Sequence, residues 1–164
     1  MHTALADRRR VSISIEDSLN FRRINERVTT SGVVVEEALA SLRSDGYDVV
    51  INLLPDDSDY AVKGEADLVT GQELVYVYIP VDWAVPTNAD FDAFAAAMDT
   101  NEGKTVHVHC AANYRVSAFY ALYALQKGLW SAAEADEHIG TIWNPPEYPV
   151  WEAFVAEQRQ RKTP

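Results

Sequence analysis

Four short runs along the chain combine apolar and β-branched residues in the patterns typical of β-strands. Asp48–Leu54 (DVVINLL) and Glu73–Val81 (ELVYVYIPV) are almost continuously apolar, which favours strands buried on both faces. Glu26–Gly32 (ERVTTSG) is shorter and β-branched, whereas Thr105–His109 (TVHVH) alternates between polar and apolar positions. Pro80 is expected to end the second of the two apolar strands, because proline cannot donate to a sheet.

Segments with the helical spacing of apolar residues separate these strands. The apolar residues of FDAFAAAM follow the i, i+3, i+4, i+7 pattern, and Asn88 or Asp90 is expected to cap this helix. A further helix is expected to begin near Asn113. Three more helical segments are predicted: residues 33–46, closed by Gly46, and residues 131–143 and 147–160, which the sequence NPP separates. The polar segment 55–71 predicts a linker with one short helix.

The alternation of strands with helices of ten or more residues indicates βαβ units. We therefore expect an α/β fold in which a central, mostly parallel sheet of about four strands is covered by helices on both faces. Functional sites of such folds gather at the carboxyl ends of the strands. The first twenty residues are polar and weakly patterned, so we expect an N-terminal extension over residues 1–20, partly mobile, and a single domain over residues 21–164.

Composition and charge narrow the possible partners and the compartment. Apolar residues make up 48% and charged residues 24% of the 164 residues, which is typical of a globular domain. The net charge of −11 disfavours binding to nucleic acids and to anionic membranes. A single cysteine excludes an intrachain disulfide, and no apolar stretch of signal-peptide length follows the N-terminal arginines. We expect a cytoplasmic protein, and the sequence leaves its oligomeric state open.

The lone cysteine, Cys110, stands between the last predicted strand and the helix that begins near Asn113. A lone cysteine is most often a buried apolar residue, but its neighbours here favour chemistry. Ala111 and Ala112 are small and Asn113 tolerates a positive φ, so a tight turn into a helix start is expected. Such a turn presents backbone N–H groups and the positive end of the helix dipole, which bind oxyanions and favour a thiolate.

Two residues of the following helix complete this arrangement. Arg115 provides a planar cation suited to bidentate phosphate contacts, and Ser117 provides a hydroxyl group. A thiolate, an anion-binding turn and an arginine together predict attack on a phosphoryl group whose oxygens are held by the loop.

The order His-Cys, short loop, Arg and Ser resembles the signature of the cysteine-dependent protein tyrosine and dual-specificity phosphatases. The segments TSGVVVEEALASLRSDGYDVVINLLPD, YIPVDWAVP and GKTVHVHCAANYRVSAF are similar to a bacterial branch of that superfamily, from about Phe21 to the final helix. In the superfamily, cysteine attacks phosphorus, arginine grips the phosphate, and an aspartate protonates the leaving group. The resemblance implies a phosphoric monoester hydrolase without metal or other cofactor, acting on a phosphorylated protein or a small phosphoester.

The resemblance also implies roles for individual residues. Cys110 corresponds to the nucleophile, Arg115 to the phosphate-binding cation, His109 to the histidine that supports the thiolate, and Ser117 to the hydroxyl that helps the thiolate leave. Contacts to the phosphate are expected from the loop residues Ala111, Ala112, Asn113, Tyr114 and Arg115.

The position of Arg115 departs from the family pattern. Five residues usually separate cysteine from arginine, but only four intervene here, and Val116 separates Arg115 from Ser117. One position on a helix is ~100° of rotation and ~1.5 Å of rise, so the guanidinium is expected to approach from a different side. Asn113 occupies the place of a family glycine, and asparagine is the best non-glycine residue for a left-handed conformation.

The general acid is expected on a neighbouring loop at the same sheet edge. Asp82 follows the strand that ends near Pro80 and is the favoured candidate, with a purely structural role as the alternative. Asp90 and Asp92 are more typical of the first turn of a helix.

Several alternatives remain open at this point. His107 and His109 share one strand face and could bind zinc with Cys110, but Arg115 would disfavour a cation, so His107 is expected to be a hydrogen-bonded core residue. Tyr114 could contact substrate or cover the core. At the level of function, the alternatives are a phosphate- or phosphoprotein-binding module on the same fold, and thiolate chemistry on sulfur or arsenate substrates.

Overall fold

A computed structural model describes residues 13–161, in which five strands form one sheet in the order β1-β2-β5-β3-β4. The strands are β1 (Arg22–Arg23), β2 (Val28–Ser31), β3 (Val49–Asn52), β4 (Val75–Tyr78) and β5 (Val106–His109). The pairs β2–β5, β5–β3 and β3–β4 are parallel, whereas β1 pairs antiparallel with β2. The four predicted strands are confirmed, and β1 is an additional strand that is too short to leave a pattern in the sequence.

The helices follow the strands as the alternating pattern predicts. They are α1 (Glu36–Ala40), α2 (Glu65–Thr70), α3 (Asn88–Thr100), α4 (Tyr114–Gln126), α5 (Ala132–Gly140) and α6 (Pro149–Gln160), with 3₁₀ turns at Ile15–Asp17 and Pro145–Glu147. No helix within residues 13–161 is both long and apolar enough to cross a membrane.

Two details of the predicted helices were wrong. Thr87, rather than Asn88 or Asp90, caps α3: its hydroxyl accepts the N–H of Asp90, whose carboxylate accepts the N–H of Thr87. The helix predicted over residues 33–46 is limited to α1: the N–H of Val33 donates to Ala111 O of the loop after β5 at 2.9 Å, and residues 41–46 form turns.

Alternate residues of the central strands pack into two different apolar clusters, one on each face of the sheet. Val49 and Ile51 pack with the large cluster that includes Phe119 of α4 and Trp151 of α6. Val50 packs with the second cluster, to which α1 and α2 contribute. This alternation explains why β3 is continuously apolar in sequence and confirms the expectation of helices on both faces.

The parallel pairing aligns the carboxyl ends of the three central strands. His109, at the end of β5, is in register with Ser31 of β2 and Asn52 of β3. Residues 1–12 of the expected N-terminal extension lie outside the described residues, whereas Ile15 is buried in the second cluster. Ile15 therefore packs on the face of the sheet that α1 and α2 cover.

Candidate active site

The loop after β5 begins with Cys110 at the end of the central strand. Cys110 is fully buried, and its N–H donates to Ser31 O at 3.3 Å. Asn113 then has φ of 68°, the left-handed conformation expected for a residue in a glycine position, and α4 begins directly after it. The turn thus leads from the cysteine into the N-terminus of a thirteen-residue helix.

Two asparagines fix the shape of this loop. The side-chain amide of Asn113 donates to Asn20 O at 2.8 Å, and that of Asn20 donates to Ala112 O at 2.9 Å. Asn113 also donates to Thr30 Oγ1 at 3.1 Å. Each amide therefore satisfies a backbone or hydroxyl oxygen that would otherwise be free to rearrange, which ties the loop to the segment before β1.

Gly32 supports the same loop from β2 by allowing close backbone contact. A Cβ at this position would lie 2.4 Å from Ala111 O and 2.8 Å from Ala112 Cα. Real Cβ atoms do not approach backbone so closely, so only glycine permits the observed distance between the two segments.

The shifted Arg115 extends toward the loop that carries Asp82. Its Nε donates to Val81 O at 2.8 Å, and its guanidinium lies 5.4 Å from the centre of the Trp83 ring. Within residues 13–161, the two terminal nitrogens of Arg115 have no hydrogen-bond partner. The arginine thus connects the two loops through Nε while four N–H groups remain free for an anion.

Ser117 lies in the first turns of α4 and is fully buried. Its hydroxyl donates to Tyr114 O at 3.0 Å and accepts the indole N–H of Trp143 at 2.9 Å. The one hydroxyl proton is therefore engaged by the helix in this conformation and would have to rotate to reach the thiol.

The two histidines of β5 are buried and have different partners. His107 Nδ1 and Nε2 each lie 2.8 Å from a hydroxyl oxygen, of Thr29 and Ser31 respectively. Burial lowers the pKa of His107 well below its usual value, and the neighbouring His109 lowers it further. His107 is therefore a neutral, hydrogen-bonded core residue, as predicted.

His109 pairs with a residue that the sequence did not single out. Its Nε2 lies 2.6 Å from Oε2 of Glu65, and its Nδ1 lies 3.5 Å from Cys110 O. Glu65 begins α2, inside the segment predicted as a polar linker, and is 44 positions from His109 in sequence. Nothing in the sequence indicates that an acidic residue in the first turn of a short helix pairs with a histidine so far along the chain.

The three candidate acids occupy different environments. Asp82 is exposed and accepts the N–H of Ala84 at 2.9 Å through Oδ1. Asp90 belongs to the α3 capping box, and Asp92 forms an ion pair with Arg161 at 2.6 Å. Asp82 is thus the candidate that adjoins the loop held by Arg115, whereas the other two serve α3 and its contact with the end of α6.

Aromatic side chains surround Arg115 and the start of α4. Trp83 stacks on Trp151 with ring centres 4.9 Å apart, and Tyr114 stacks on Trp143 at 5.5 Å. Tyr148 lies 5.5 Å from Trp83 and 5.7 Å from Tyr114. These partly buried rings form a rigid apolar wall beside the loop, so Tyr114 and Trp83 are packed and yet remain next to the candidate site.

No group of three or more histidine, cysteine, aspartate or glutamate side chains within residues 13–161 is arranged to hold a metal ion. Both ring nitrogens of His107 are occupied by hydroxyl groups, and His109 is paired with Glu65. The zinc alternative therefore has no ligand set among the described residues.

Comparison with known proteins assigns the family. Residues 1–140 match the family described as DSP-PTPase phosphatase fused to NAD+ kinase. The chain belongs to this phosphatase family. A crystal structure of a candidate phosphatase (DUF442) from Shewanella putrefaciens CN-32 is 40% identical, covers 92% of this chain and 98% of its own, and superposes with a TM-score of 0.81. The recognised resemblance to a bacterial branch of cysteine-dependent phosphatases is thereby confirmed.

A solved structure that is less similar in sequence agrees in fold. TpbA from P. aeruginosa, solved in complex with pTyr, has a TM-score of 0.68 at 16% identity and covers 88% of this chain and 87% of its own.

A β-lactamase hydrolase-like protein from Xylella fastidiosa is 33% identical over 116 residues, which are 69% of this chain. The chain spans 27% of the length of that relative.

Proposed function

We propose that this family member hydrolyses phosphoric monoesters through a cysteinyl-phosphate, as a phosphatase of the protein tyrosine or dual-specificity type. The observation that carries the proposal is the loop from Cys110 to Ser117, which leads from the central strand into a helix N-terminus beside a free guanidinium edge. The turn supplies backbone N–H groups and the start of a helix dipole, Arg115 is the second residue of that helix, and this combination suits a phosphate dianion.

The proposed first step is attack of the Cys110 thiolate on phosphorus, with cleavage of the bond to the leaving oxygen. Asp82 donates its proton to that oxygen, while Arg115 and the N–H groups of the loop residues Ala111, Ala112, Asn113 and Tyr114 bind the remaining oxygens. In the second step water attacks phosphorus and gives a proton to the Asp82 carboxylate, the S–P bond breaks to release phosphate, and Ser117 supports the departing thiolate after its hydroxyl rotates away from Tyr114 O. His109, the last residue of β5, stabilises the thiolate of Cys110.

Phosphorylated proteins and small phosphoesters are the proposed substrates. The aromatic wall of Trp83, Tyr114 and Tyr148 favours a substrate with a flat apolar group next to the phosphate. The net charge of −11 disfavours strongly acidic phosphopeptides.

A binding module without turnover is the second candidate, and three observations favour it. Cys110 is fully buried. The Ser117 hydroxyl donates a hydrogen bond to Tyr114 O, and Nε of Arg115 donates one to Val81 O. In this alternative the loop binds a phosphate group through its remaining N–H donors and no bond to phosphorus is formed.

The test is hydrolysis of para-nitrophenyl phosphate at mildly acidic pH, with Cys110→Ser as the variant. We expect turnover by the unmodified protein, insensitivity to chelators, and loss of turnover in Cys110→Ser, because a hydroxyl is a far weaker nucleophile than a thiolate. Full activity in Cys110→Ser would contradict the proposed mechanism. Vanadate or phosphate binding without turnover on a broad phosphoester panel would select the binding module, and turnover confined to sulfur or arsenate substrates would select a different thiolate chemistry.

A further inference from the structure

Glu65, the buried partner of His109, has no role in the mechanism described so far. Their side chains are 5% and 2% exposed, and the carboxylate oxygen lies 2.6 Å from the imidazole Nε2. Glu65 is the one buried carboxylate among residues 13–161. Burying a charge is costly and is tolerated where a partner compensates it, so this pair is a specific feature of the site.

The hydrogen-bond partners of His109 define the protons on its ring. Nε2 faces the Glu65 carboxylate and Nδ1 faces the Cys110 carbonyl at 3.5 Å, and both neighbours accept protons. A neutral imidazole carries one N–H and would leave one of these acceptors without a donor, whereas an imidazolium donates to both. The geometry therefore favours a positively charged ring on the residue that directly precedes the candidate nucleophile.

The other titratable groups around the pair do not compete for this charge. His107 stacks on His109 with ring centres 6.2 Å apart, and burial lowers its pKa so that it stays neutral. Burial and, to a lesser extent, the charge on Glu65 raise the pKa of Tyr76, which is also uncharged at neutral pH. Lys63, Asp56 and Asp67 line the surface cavity of about 550 Å³ next to Glu65.

We propose that Glu65 is a positioning residue that holds His109 as an imidazolium and thereby favours the thiolate of Cys110. The Glu65 carboxylate fixes the orientation of the His109 ring, and the charge on that ring stabilises the anionic sulfur of Cys110, the next residue in the chain. This inference rests on the proposed role of Cys110 as a nucleophile. It gives α2, whose first residue lies 44 positions before His109, a part in the chemistry of the loop after β5.

The test is an ultraviolet titration of the thiolate in the unmodified protein and in Glu65→Gln. Cys110 is the single cysteine of the chain, so subtraction of the Cys110→Ser titration leaves the absorbance of one thiolate. Several tyrosines, Tyr47, Tyr76, Tyr78, Tyr120, Tyr123 and Tyr148, have pKa values raised from the usual one and ionise above the working range.

We expect Glu65→Gln to move the midpoint of thiolate formation upward by about one pH unit, which is about tenfold less thiolate below both midpoints. Asp67→Asn is the matched control, because Asp67 lines the same cavity and is exposed. That variant should leave the midpoint unchanged. An unmoved midpoint in folded Glu65→Gln would overturn the proposal, since a purely structural role lowers the melting temperature without altering the titration.

A second measurement needs no variant and applies if Glu65→Gln does not fold. Nitrogen-15 NMR of the histidine side chains in the unmodified protein should show two protonated ring nitrogens for His109 at neutral pH, and a singly protonated ring would overturn the proposal. Neither readout requires turnover. A shifted midpoint without phosphatase activity therefore contradicts only the proposed function, and turnover with an unmoved midpoint contradicts only the role of Glu65.

Discussion

The contact of Gly32 with the loop after β5 predicts the effect of adding a single methyl group. In Gly32→Ala the new Cβ would lie 2.4 Å from Ala111 O, whereas ordinary contact begins near 3.4 Å, so one of the two backbones must retreat by about 1 Å. Both partners are backbone, and neither can move aside as a flexible side chain would. Overpacking of this kind costs about 1–3 kcal/mol of the free energy of unfolding.

The loop is also expected to lose function, because its N–H groups point where the backbone of Ala111 and Ala112 places them. A displacement of about 1 Å in a catalytic group can reduce the rate by about 10²-fold. The variant should therefore unfold at a lower urea concentration. Its turnover should fall by roughly one to two orders of magnitude, and if the protein shows no turnover, its vanadate affinity should fall by the same factor.

Gly140→Ala is the matched control for this experiment. A Cβ at Gly140, the last residue of α5, meets nothing within 4 Å. Alanine is a better helix former than glycine by about 1 kcal/mol, so stability should be unchanged or raised and the site unaffected. Unfolding of Gly32→Ala at the same urea concentration as the unmodified protein, with its anion affinity retained, would refute the steric argument.

Two further predictions concern a cation of the site and a histidine away from it. Arg115→Lys should lose about 1–2 kcal/mol of stability, since lysine cannot donate to Val81 O and stack on the Trp83 ring at the same time. Its vanadate affinity should fall at least about tenfold. Urea unfolding and anion titration measure these two effects, and unchanged values would show that Nε and the ring contact are dispensable. Burial, with a smaller contribution from Arg22, lowers the pKa of His138 from 6.5 to about 4, so the unfolded chain binds more protons between these values and stability falls as the pH drops through that window. His138→Gln should remove up to about 2 kcal/mol of this acid-dependent loss, seen as a flatter dependence of the urea midpoint on pH, and an equally steep dependence would contradict the assignment.

Local patterns were sufficient to predict the fold. The continuous apolar run of β3 and the apolar spacing in α3 reflect burial within a single element, which sequence periodicity reports directly. The helix predicted over residues 33–46 begins later than expected because the backbone of Val33 bonds to Ala111, a residue of a distant loop, and residues 41–46 form turns. Periodicity contains no information about such a contact.

The site was predictable only where its residues are close in sequence. Cys110, Asn113 and Arg115 belong to one segment whose turn and helix start could be inferred from residue types. Glu65 reaches His109 across 44 positions, and Arg115 reaches Val81 across 34, so the residues that orient the loop were invisible until the chain was folded. Sequence reasoning therefore placed the candidate reactive residues on one loop and missed Glu65, which contacts His109, the residue before that loop, from another segment.

The exchange of amide contacts between Asn20 and Asn113 has a consequence for the order in which the protein folds. These hydrogen bonds join residues 92 and 93 positions apart, whereas the β3–β4 pair joins residues 26 positions apart, and the longer closure costs about 1 kcal/mol more chain entropy. The β2–β5 pair joins residues 78 positions apart, and β5 ends four residues before Asn113, so this pairing shortens the chain that remains to be closed between the two asparagines. The loop after β5 is therefore expected to take its final shape once β2 and β5 have paired.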